Sequence, residues 1–442
     1  MGAHGEAVPR PLDRAGGGGR TLSPEAPIPQ APIAQTPIPE APIPQTPPRS
    51  QRLAVSLDVS AVPADPVGAG RYTIELARAL ARRDDVELLM WSRRNDTARW
   101  RQLDPDGAEP PLTLRAQAPD SRAARLVWEQ LRLGALLAGT GARLHHGPHY
   151  TMPARPAVPV VVTLHDLTFF DHPEWHERSK VVFFRRAIRR AAVRARAVVC
   201  VSERTAALLH ERVAVRTKVF VVPHGVDHTR FRPDEVQPGA DDEVLGTLGV
   251  RRPYLLFLGT LEPRKAVPDL VRAFGALATE RPELTLVLAG TEGWGAQAVT
   301  RTVAECAVTD RVLRTGYVTE PAVPALLRQA AAVVYPAHEE GFGLPALEAL
   351  ACGTPLVTTA GTAMADVAGD AAALVGAGRP HELTDAVRAV LSGGPEVERR
   401  RRLGLSVAAS YTWERSAAAH VEAYRWAAQG PNVPEEGRQG DR

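Results

Sequence analysis

From Leu53 onwards, short apolar runs rich in β-branched residues alternate with longer amphipathic segments. The runs Leu53–Asp58 and Val86–Trp91 have the length of strands, and between them Tyr72–Arg82 carries apolar residues at the spacing of one helix face. Strands that alternate with helices in this way pair in parallel, and the helices form the crossovers. The pattern therefore predicts an α/β protein built on parallel sheets.

The alternation runs twice along the chain, which at 442 residues is too long for one ordinary core. The first series continues with a helix at Leu126–Gly139, strands at Leu144–His146 and Val158–Leu164, a basic helix at Ser179–Arg196, and strands at Ala197–Val201 and Val219–Val222. The second series has strands at Tyr254–Leu258, Leu284–Ala289, Val312–Thr315, Ala332–Tyr335 and Pro355–Thr358, and helices at Pro268–Ala278, Ala296–Cys306, Ala322–Ala330, Leu344–Ala351, Leu383–Leu391 and Glu414–Ala428. Two separately wound domains with a cleft between them are expected.

The flanking segments have a different composition. Residues 1–51 contain a glycine run and four copies of a proline-rich five-residue unit, which favours polyproline II over helix or sheet. We interpret this segment as a spacer, with a proline-rich docking ligand as the alternative. The predicted organisation is a disordered tail at 1–51, an N-terminal domain at 52–236, a linker at 237–250, a second domain at 251–410, a helix at 411–428 that crosses back towards the N-terminal domain, and a disordered tail at 429–442.

Composition excludes several classes of protein. A net charge of only +3 provides no basic field for nucleic acid, so no nucleic-acid partner is expected. Three scattered cysteines indicate a reducing compartment, and no run is long and apolar enough for a membrane helix or a signal peptide. A cytoplasmic location is therefore expected. The histidines at 145, 146 and 149 lack a standard ligand spacing, and Asp104–Asp106 reads as a turn, so no metal site is predicted.

The stretch Glu340–Glu348 joins a predicted strand to a predicted helix through a glycine-containing loop. Gly341 and Gly343 allow the backbone to approach a ligand closely, and the first helical turn offers unpaired N–H groups to an anion. Carboxylates at both ends of the stretch suit hydroxyl groups on either side of a diphosphate. The alternative is an ordinary helix start with acidic residues in its first turns.

Two adjacent cations, Arg264 and Lys265, follow the strand Tyr254–Leu258 at the carboxyl edge of the second predicted sheet, where ligands bind in such folds. Arginine offers a bidentate fork and lysine a compact charge, so the pair could neutralise a leaving diphosphate. Lys265 is one of only three lysines in a chain rich in arginine, which favours a specific role. The alternative is a solvated pair of loop residues.

Two further candidates follow strands of the first series. Gly68 and Gly70 come after the first strand and before a helix, where they could face a phosphate across the cleft, although the third glycine of a dinucleotide fingerprint is missing. His165 and Asp166 end the buried strand Val158–Leu164. A structural histidine is the alternative for His165.

In their order and spacing, these stretches resemble family 4 of the glycosyltransferases, retaining enzymes of the GT-B fold. The resemblance runs from about Arg52 to Ala428. It is carried by Gly68–Thr73, His165–Asp166, Val201–Glu203, Val222–Asp227, Gly259–Lys265, Ala289–Gly290, Arg311–Val318, Tyr335–Pro336, Glu340–Glu348, Ala351–Pro355 and Ala368–Ala371. The resemblance implies two Rossmann-like domains that face a central cleft, the first for the acceptor and the second for a nucleotide-sugar donor.

The resemblance also implies roles for single residues. Glu340 would contact the transferred sugar near its 3-hydroxyl, Glu348 the ribose hydroxyls, and His165 the sugar 6-hydroxyl. The predicted catalytic residues are Glu340, His165, Arg264 and Lys265, and the predicted donor-binding residues are Gly68, Gly70, Arg264, Lys265, Glu340, Gly341, Phe342, Gly343, Leu344 and Glu348. No metal and no other cofactor is implied, and the leaving phosphate would help to deprotonate the acceptor on the same face of the sugar.

The predicted function is transfer of a hexose, with mannose as the guess, from a GDP- or UDP-sugar to a glycan, lipid or small-molecule acceptor with retention of configuration. The alternatives are a nucleotide-sugar-binding protein without activity and an epimerase of the same fold. A phosphorylase would need a suitably placed lysine, which the sequence lacks. The basic amphipathic helix Ser179–Arg196 predicts a peripheral contact with the inner face of a membrane, unless its apolar stripe faces the core.

Overall fold

The computed structural model describes residues 52–103 and 112–429. The predicted N-terminal tail, the predicted turn at Asp104–Asp106 and residues 430–442 lie outside the described residues. No helix of the described part is long and apolar enough to cross a membrane.

The first half of the described chain forms seven parallel strands and the helices between them. The strands are β1 (Leu53–Asp58), β2 (Val86–Arg93), β3 (Thr113–Ala118), β4 (Leu144–Gly147), β5 (Val160–Leu164), β6 (Ala197–Cys200) and β7 (Lys218–Val221). The helices are α1 (Ala69–Ala81), α2 (Thr97–Arg101), α3 (Arg122–Trp128), α4 (Gly134–Leu137), α5 (Thr168–Asp171), α6 (Arg178–Arg194) and α7 (Glu203–Arg212). The strand order is β3-β2-β1-β4-β5-β6-β7.

The second half repeats this architecture with six parallel strands in the order β10-β9-β8-β11-β12-β13. The strands are β8 (Tyr254–Leu258), β9 (Thr285–Ala289), β10 (Val312–Gly316), β11 (Ala332–Tyr335), β12 (Leu356–Thr359) and β13 (Ala372–Val375). The helices are α8 (Ala240–Leu248), α9 (Val267–Glu280), α10 (Ala296–Glu305), α11 (Val323–Arg328), α12 (Leu344–Ala351), α13 (Ala363–Ala368), α14 (Pro380–Leu391), α15 (Pro395–Ala409) and α16 (Trp413–Ala428). The central strands β8 and β11 are buried along their whole length, as expected for a parallel sheet covered on both faces.

Residues 237–250, interpreted as a linker between the domains, contain the helix α8, which the sequence did not predict. Leu245 of this helix is buried in the core, Val244 and Leu248 pack beside it, and Asp241 is buried and forms an ion pair with Arg328 of α11 at 2.6 Å. Gly239 and Gly249 bound the helix in left-handed conformations. The helix is only nine residues long and has three acidic residues in its first turn, so its apolar periodicity is weak and it was not predicted.

The single helix predicted at Leu126–Gly139 is also wrong in detail. The segment Glu129–Leu133 winds as a π-helix between α3 and α4. Within it, Glu129 is buried and lies 3.3 Å from the guanidinium of Arg125. A widened turn of this kind is common near functional sites, and here it turns a charged side chain inwards.

Helix α6 presents its apolar stripe to the protein interior. Val181, Phe184 and Ile188 are buried in the first domain, whereas Val182 is 70% exposed. Because this apolar stripe is buried in the protein, it cannot contact a membrane. The outward face of α6 consists mainly of arginines.

Helix α16 packs on α1 and on strands β4, β5 and β6 of the first sheet. A chain of buried hydrogen bonds joins it to the sheet, from His420 through Tyr72 and Thr163 to His146 and Tyr424. The distances lie between 2.7 and 2.9 Å, and every side chain in the chain is buried. Such a fully paired polar network fixes one docking position for the helix.

Candidate active site

A cavity of about 450 Å³ lies between the carboxyl edges of the two sheets and has walls from both halves. Its lining includes nine of the sequence-predicted site residues: Gly68, His165, Arg264, Lys265, Glu340, Gly341, Phe342, Gly343 and Leu344. The carboxyl edge of a parallel sheet is where the loops and helix N-termini converge, so the location agrees with the fold. Gly70 and Glu348 do not belong to the lining.

Gly70 lies in the first turn of α1 and faces away from the cavity. A Cβ on Gly70 would meet Pro63 at 3.2 Å and Pro66 at 3.3 Å, and its N–H donates to the Val67 carbonyl at 2.9 Å. Its role is therefore to let α1 pack against the preceding loop rather than to face a phosphate. Gly68 is the residue that lines the cavity, and its φ of 45° favours glycine.

The wall contributed by α12 is suited to an anion. Gly343 precedes the helix with a φ of 96°, and a Cβ there would overlap the side chain of Met364. Among the described residues, no acceptor takes the N–H groups of Phe342, Gly343 and Leu344. Donors without an acceptor at a helix N-terminus, together with the helix dipole, favour a phosphate or a developing negative charge at this position.

Arg264 and Lys265 project from a short 3₁₀ turn, Pro263–Lys265, that follows β8. Arg264 binds Glu340 at 2.6 Å and Glu262 at 2.8 Å. Lys265 is buried and forms no ion pair with any carboxylate of the described chain, and its Nζ lies 5.9 Å from the ring centre of Tyr335. Burial lowers the pKa of Lys265, and the positive charge of Arg264 lowers it further. An anion beside Nζ would relieve this penalty.

Glu340 lies at the centre of the cavity wall. Its carboxylate accepts a hydrogen bond from the Tyr335 hydroxyl at 3.4 Å in addition to the Arg264 ion pair. The next residue, Gly341, touches the opposite half, because a Cβ there would overlap the carbonyl oxygen of His165. The Gly341 carbonyl accepts from the Ser202 hydroxyl at 2.7 Å. The loop that carries Glu340 is therefore clamped between the two halves.

His165 directly follows β5 and lies on the opposite wall of the cavity. Its Nε2 lies 2.8 Å from the carbonyl oxygen of Pro148. A carbonyl can only accept, so Nε2 carries the hydrogen and Nδ1 is left as an acceptor. Burial lowers the pKa of His165, so the imidazole is neutral at neutral pH.

Glu348 is buried on the second turn of α12, behind the cavity wall. Its Oε1 accepts from Arg71 of α1 at 2.9 Å, and its Oε2 has no hydrogen-bond partner in the described chain. Arg71 itself lines the cavity. Arg71 of the first half therefore lies between the cavity and the Glu348 carboxylate of the second half.

The residues of the cavity wall that sequence reasoning missed include Arg71, His149 and His224. Arg71 and His224 lie within stretches that carry the family resemblance, so the resemblance could have identified them as site residues. His149 lies 5.9 Å from His165 between ring centres, and the following Tyr150 has a φ of 61°. Neither the neighbouring histidine nor the strained backbone can be inferred from the spacing along the chain.

Comparison with known proteins places this geometry in a family. The sequence profile of the glycosyl transferases group 1 matches residues 247–406, and that of glycosyltransferase family 4 matches residues 66–230. The chain is 28% identical over 374 residues to the O-antigen chain mannosyltransferase B of Escherichia coli, which covers 81% of this chain and 96% of the relative.

Solved structures agree with the architecture. Sucrose-phosphate synthase from Thermosynechococcus elongatus superposes with a TM-score of 0.66 at 20% identity, covering 85% of this chain and 98% of the other. Anabaena HepE in complex with UDP-glucose gives a TM-score of 0.64 at 18% identity, covering 84% of this chain and 100% of the other. At these identities the likeness concerns the fold.

Two parallel-sheet domains that face a cavity with a cationic loop and a helix N-terminus define a glycosyltransferase of the GT-B fold. The chain belongs to family 4 of the glycosyltransferases. The fold class predicted from the sequence is thereby confirmed.

Proposed function

We propose that the chain transfers a hexose from a nucleoside-diphosphate sugar to an acceptor with retention of configuration and without a metal ion. The observation that carries the proposal is the grouping of Arg264, Lys265 and the free N–H groups of Phe342–Leu344 on one wall of the cavity. A leaving diphosphate gains negative charge as the glycosidic bond breaks, and preorganised cations and dipoles stabilise that charge.

The ion pair between Arg264 and Glu340 breaks when the donor binds. The Arg264 guanidinium then binds the diphosphate, and the Glu340 carboxylate becomes free to accept a hydrogen bond from the sugar 3-hydroxyl. From the opposite wall, the Nδ1 of His165 accepts from the sugar 6-hydroxyl. Contacts from both walls hold the sugar only when the cleft is closed, which excludes water from the reaction.

In this proposal, no protein nucleophile is assigned. The leaving phosphate oxygen takes the proton from the acceptor hydroxyl on the same face of the sugar, so configuration is retained. The positive charges already present on the wall, rather than a metal, offset the charge of the leaving group.

The identity of the donor is proposed from the relatives. Anabaena HepE was solved with UDP-glucose, and the relative from Escherichia coli is named a mannosyltransferase. A UDP- or GDP-hexose donor with a mannose-like sugar, and a glycan or lipid-linked acceptor, are accordingly proposed for this chain in a cytoplasmic setting.

Donor turnover tests the proposal. The purified chain is incubated with UDP-glucose, UDP-galactose, UDP-N-acetylglucosamine and GDP-mannose, with 10 mM EDTA in a parallel series, and released nucleoside diphosphate is quantified by anion-exchange chromatography. One donor is expected to release its diphosphate at the same rate with and without EDTA. Binding of a nucleoside diphosphate without turnover of any donor would instead leave a binding protein, and a changed nucleotide sugar would indicate an epimerase.

A peripheral contact with an anionic membrane is proposed for the outward face of α6. Arg186 and Arg189 are exposed there beside Val182, and a basic surface attracts anionic lipid through charge that salt screens. Sedimentation with phosphatidylglycerol vesicles should capture the protein at low salt and release it at 0.5 M NaCl. Absence of binding at low salt would refute the contact.

A further inference from the structure

Arg71 belongs to the first half of the chain, yet its main partner belongs to the second. Its Nη2 lies 2.9 Å from Oε1 of Glu348 and its Nε 4.0 Å from Glu320. The Arg71 side chain is 14% exposed and its guanidinium lies 5.7 Å from the ring centre of Phe231. The Arg71 guanidinium is therefore well placed to stabilise the charged form of the Glu348 carboxylate.

Glu348 uses only half of its hydrogen-bonding capacity. The side chain is 4% exposed, and Oε2 accepts no hydrogen bond from any described residue. A buried oxygen without a partner costs free energy, and a ligand hydroxyl donating to Oε2 would recover that cost. Burial raises the pKa of Glu348, and Arg71 opposes that rise more strongly than any other neighbour.

A second arginine, Arg230, also connects the two halves of the chain through ion pairs. Arg230 contacts Glu75 of α1 and Glu320 of the second half, both at 3.5 Å. Three carboxylates therefore meet in this part of the cleft, and removal of Arg71 leaves them with less positive charge. Glu348, as the most buried of them, would then take up a proton and lose strength as an acceptor.

We propose that Arg71 is a positioning residue for the donor: it holds Glu348 ionised through one oxygen and leaves the other for a ribose hydroxyl. The inference rests on the proposed nucleotide-sugar function. The donor enters when the two halves part, and the Arg71–Glu348 pair forms again on closure around the ribose. Affinity for the nucleoside part of the donor is thereby coupled to closure of the cleft.

Isothermal titration of the full chain tests this with three probes: UDP or GDP, whichever binds, its 2′,3′-dideoxy analogue, and inorganic pyrophosphate. The wild type should prefer the ribose form over the dideoxy form by about tenfold or more, as expected for a hydrogen bond to a charged group. Arg71→Ala should weaken the ribose form about tenfold, reduce the preference below threefold, and leave pyrophosphate within twofold. Arg82→Ala, at the exposed C-cap of the same helix, should change none of these values.

Because Arg71→Ala leaves the buried Glu348 carboxylate without its ion-pair partner, the Glu348→Gln and Arg71→Gln/Glu348→Gln variants complete the design. In the Glu348→Gln background, loss of Arg71 should have no further effect on nucleotide affinity. An additive loss, an unchanged ribose preference, or an equal loss of pyrophosphate affinity would overturn the proposal. A wild type that binds neither UDP nor GDP would refute the proposed function itself, and the role of Arg71 would be lost with it.

Discussion

Lys265 illustrates how one residue reflects the chemistry of its surroundings. Burial and the neighbouring Arg264 lower the pKa of Lys265; Glu340 and Glu262 oppose this shift, but no carboxylate of the described chain forms an ion pair with Lys265. Gly259 leaves it room, because a Cβ there would lie 2.7 Å from Nζ. A compact ammonium fits this space, which explains why a chain that otherwise uses arginine keeps a lysine here.

Substitution of Lys265 should therefore affect chemistry more than binding. Lys265→Ala is expected to lower kcat by about 100-fold or more, the cost typical of losing one group that stabilises developing charge. Lys265→Arg should restore little, because the guanidinium does not fit beside Gly259. Steady-state kinetics with the active donor measure both; a kcat within threefold of wild type for Lys265→Ala would contradict the role.

The buried Glu129 predicts a pH-dependent stability. Burial, together with repulsion by Asp58, raises the pKa of Glu129 to about 7. The folded state then holds a proton that the unfolded state releases at lower pH, so stability is full below about pH 4.5 and is lost as pH rises through 7. Each pH unit in this window costs up to about 1.4 kcal/mol.

Glu129→Gln removes the titrating group and should flatten this dependence. The variant is expected to gain Tm relative to wild type as pH rises from 5 to 7.5, as measured by thermal unfolding followed by circular dichroism. A difference in Tm that does not change with pH would show that Glu129 is not protonated in the folded state.

At the scale of elements, apolar periodicity identified those that form the two cores. Strands such as Tyr254–Leu258 and Ala332–Tyr335 and the helix Leu344–Ala351 occur with the predicted bounds. The helix α8 and the strand β3 were not predicted: α8 is short and has three acidic residues in its first turn, and β3 is only partly buried. Apolar periodicity indicates a buried face, so it is weak in elements that are short or partly exposed.

The loop before α12 places the two halves in direct contact. Gly341→Ala would force a Cβ into the carbonyl of His165 and push the halves apart. Transfer should fall by at least tenfold, with a lower Tm. Gly246→Ala in α8 is the control, because its Cβ meets nothing within 4 Å; equal activity of both variants would contradict the clamp.

At the scale of the whole molecule, α16 joins the end of the described chain to the first sheet. Tyr424→Phe removes the hydroxyl that lies 2.7 Å from Nδ1 of His146 and leaves a buried ring nitrogen without a partner. A loss of about 1–3 kcal/mol in the free energy of unfolding is expected, measured by urea denaturation. Tyr411→Phe, at a half-buried hydroxyl without a hydrogen bond in the described chain, should be neutral; similar losses for both would show that the network does not stabilise the docked helix.

The arrangement across the cleft could not be predicted from the sequence. The motifs indicated Glu340, Arg264 and His165 as one site, and the structure brings them to one cavity. The pairing of Arg71 with Glu348 and the displacement of Gly70 from the wall depend on how two separately folded halves meet. Local patterns carry no information on that geometry, because it is set by contacts between residues far apart in the chain.

Real-time proton NMR of the purified chain with its active donor and a sugar acceptor tests whether the chain transfers a hexose with retention of configuration. The donor's anomeric signal should decline while free nucleoside diphosphate appears. A new anomeric signal with the donor's configuration should grow in parallel, and Arg264→Ala should abolish all three changes. A new signal of inverted configuration, or a donor spectrum that stays unchanged although nucleotide binds, would contradict it.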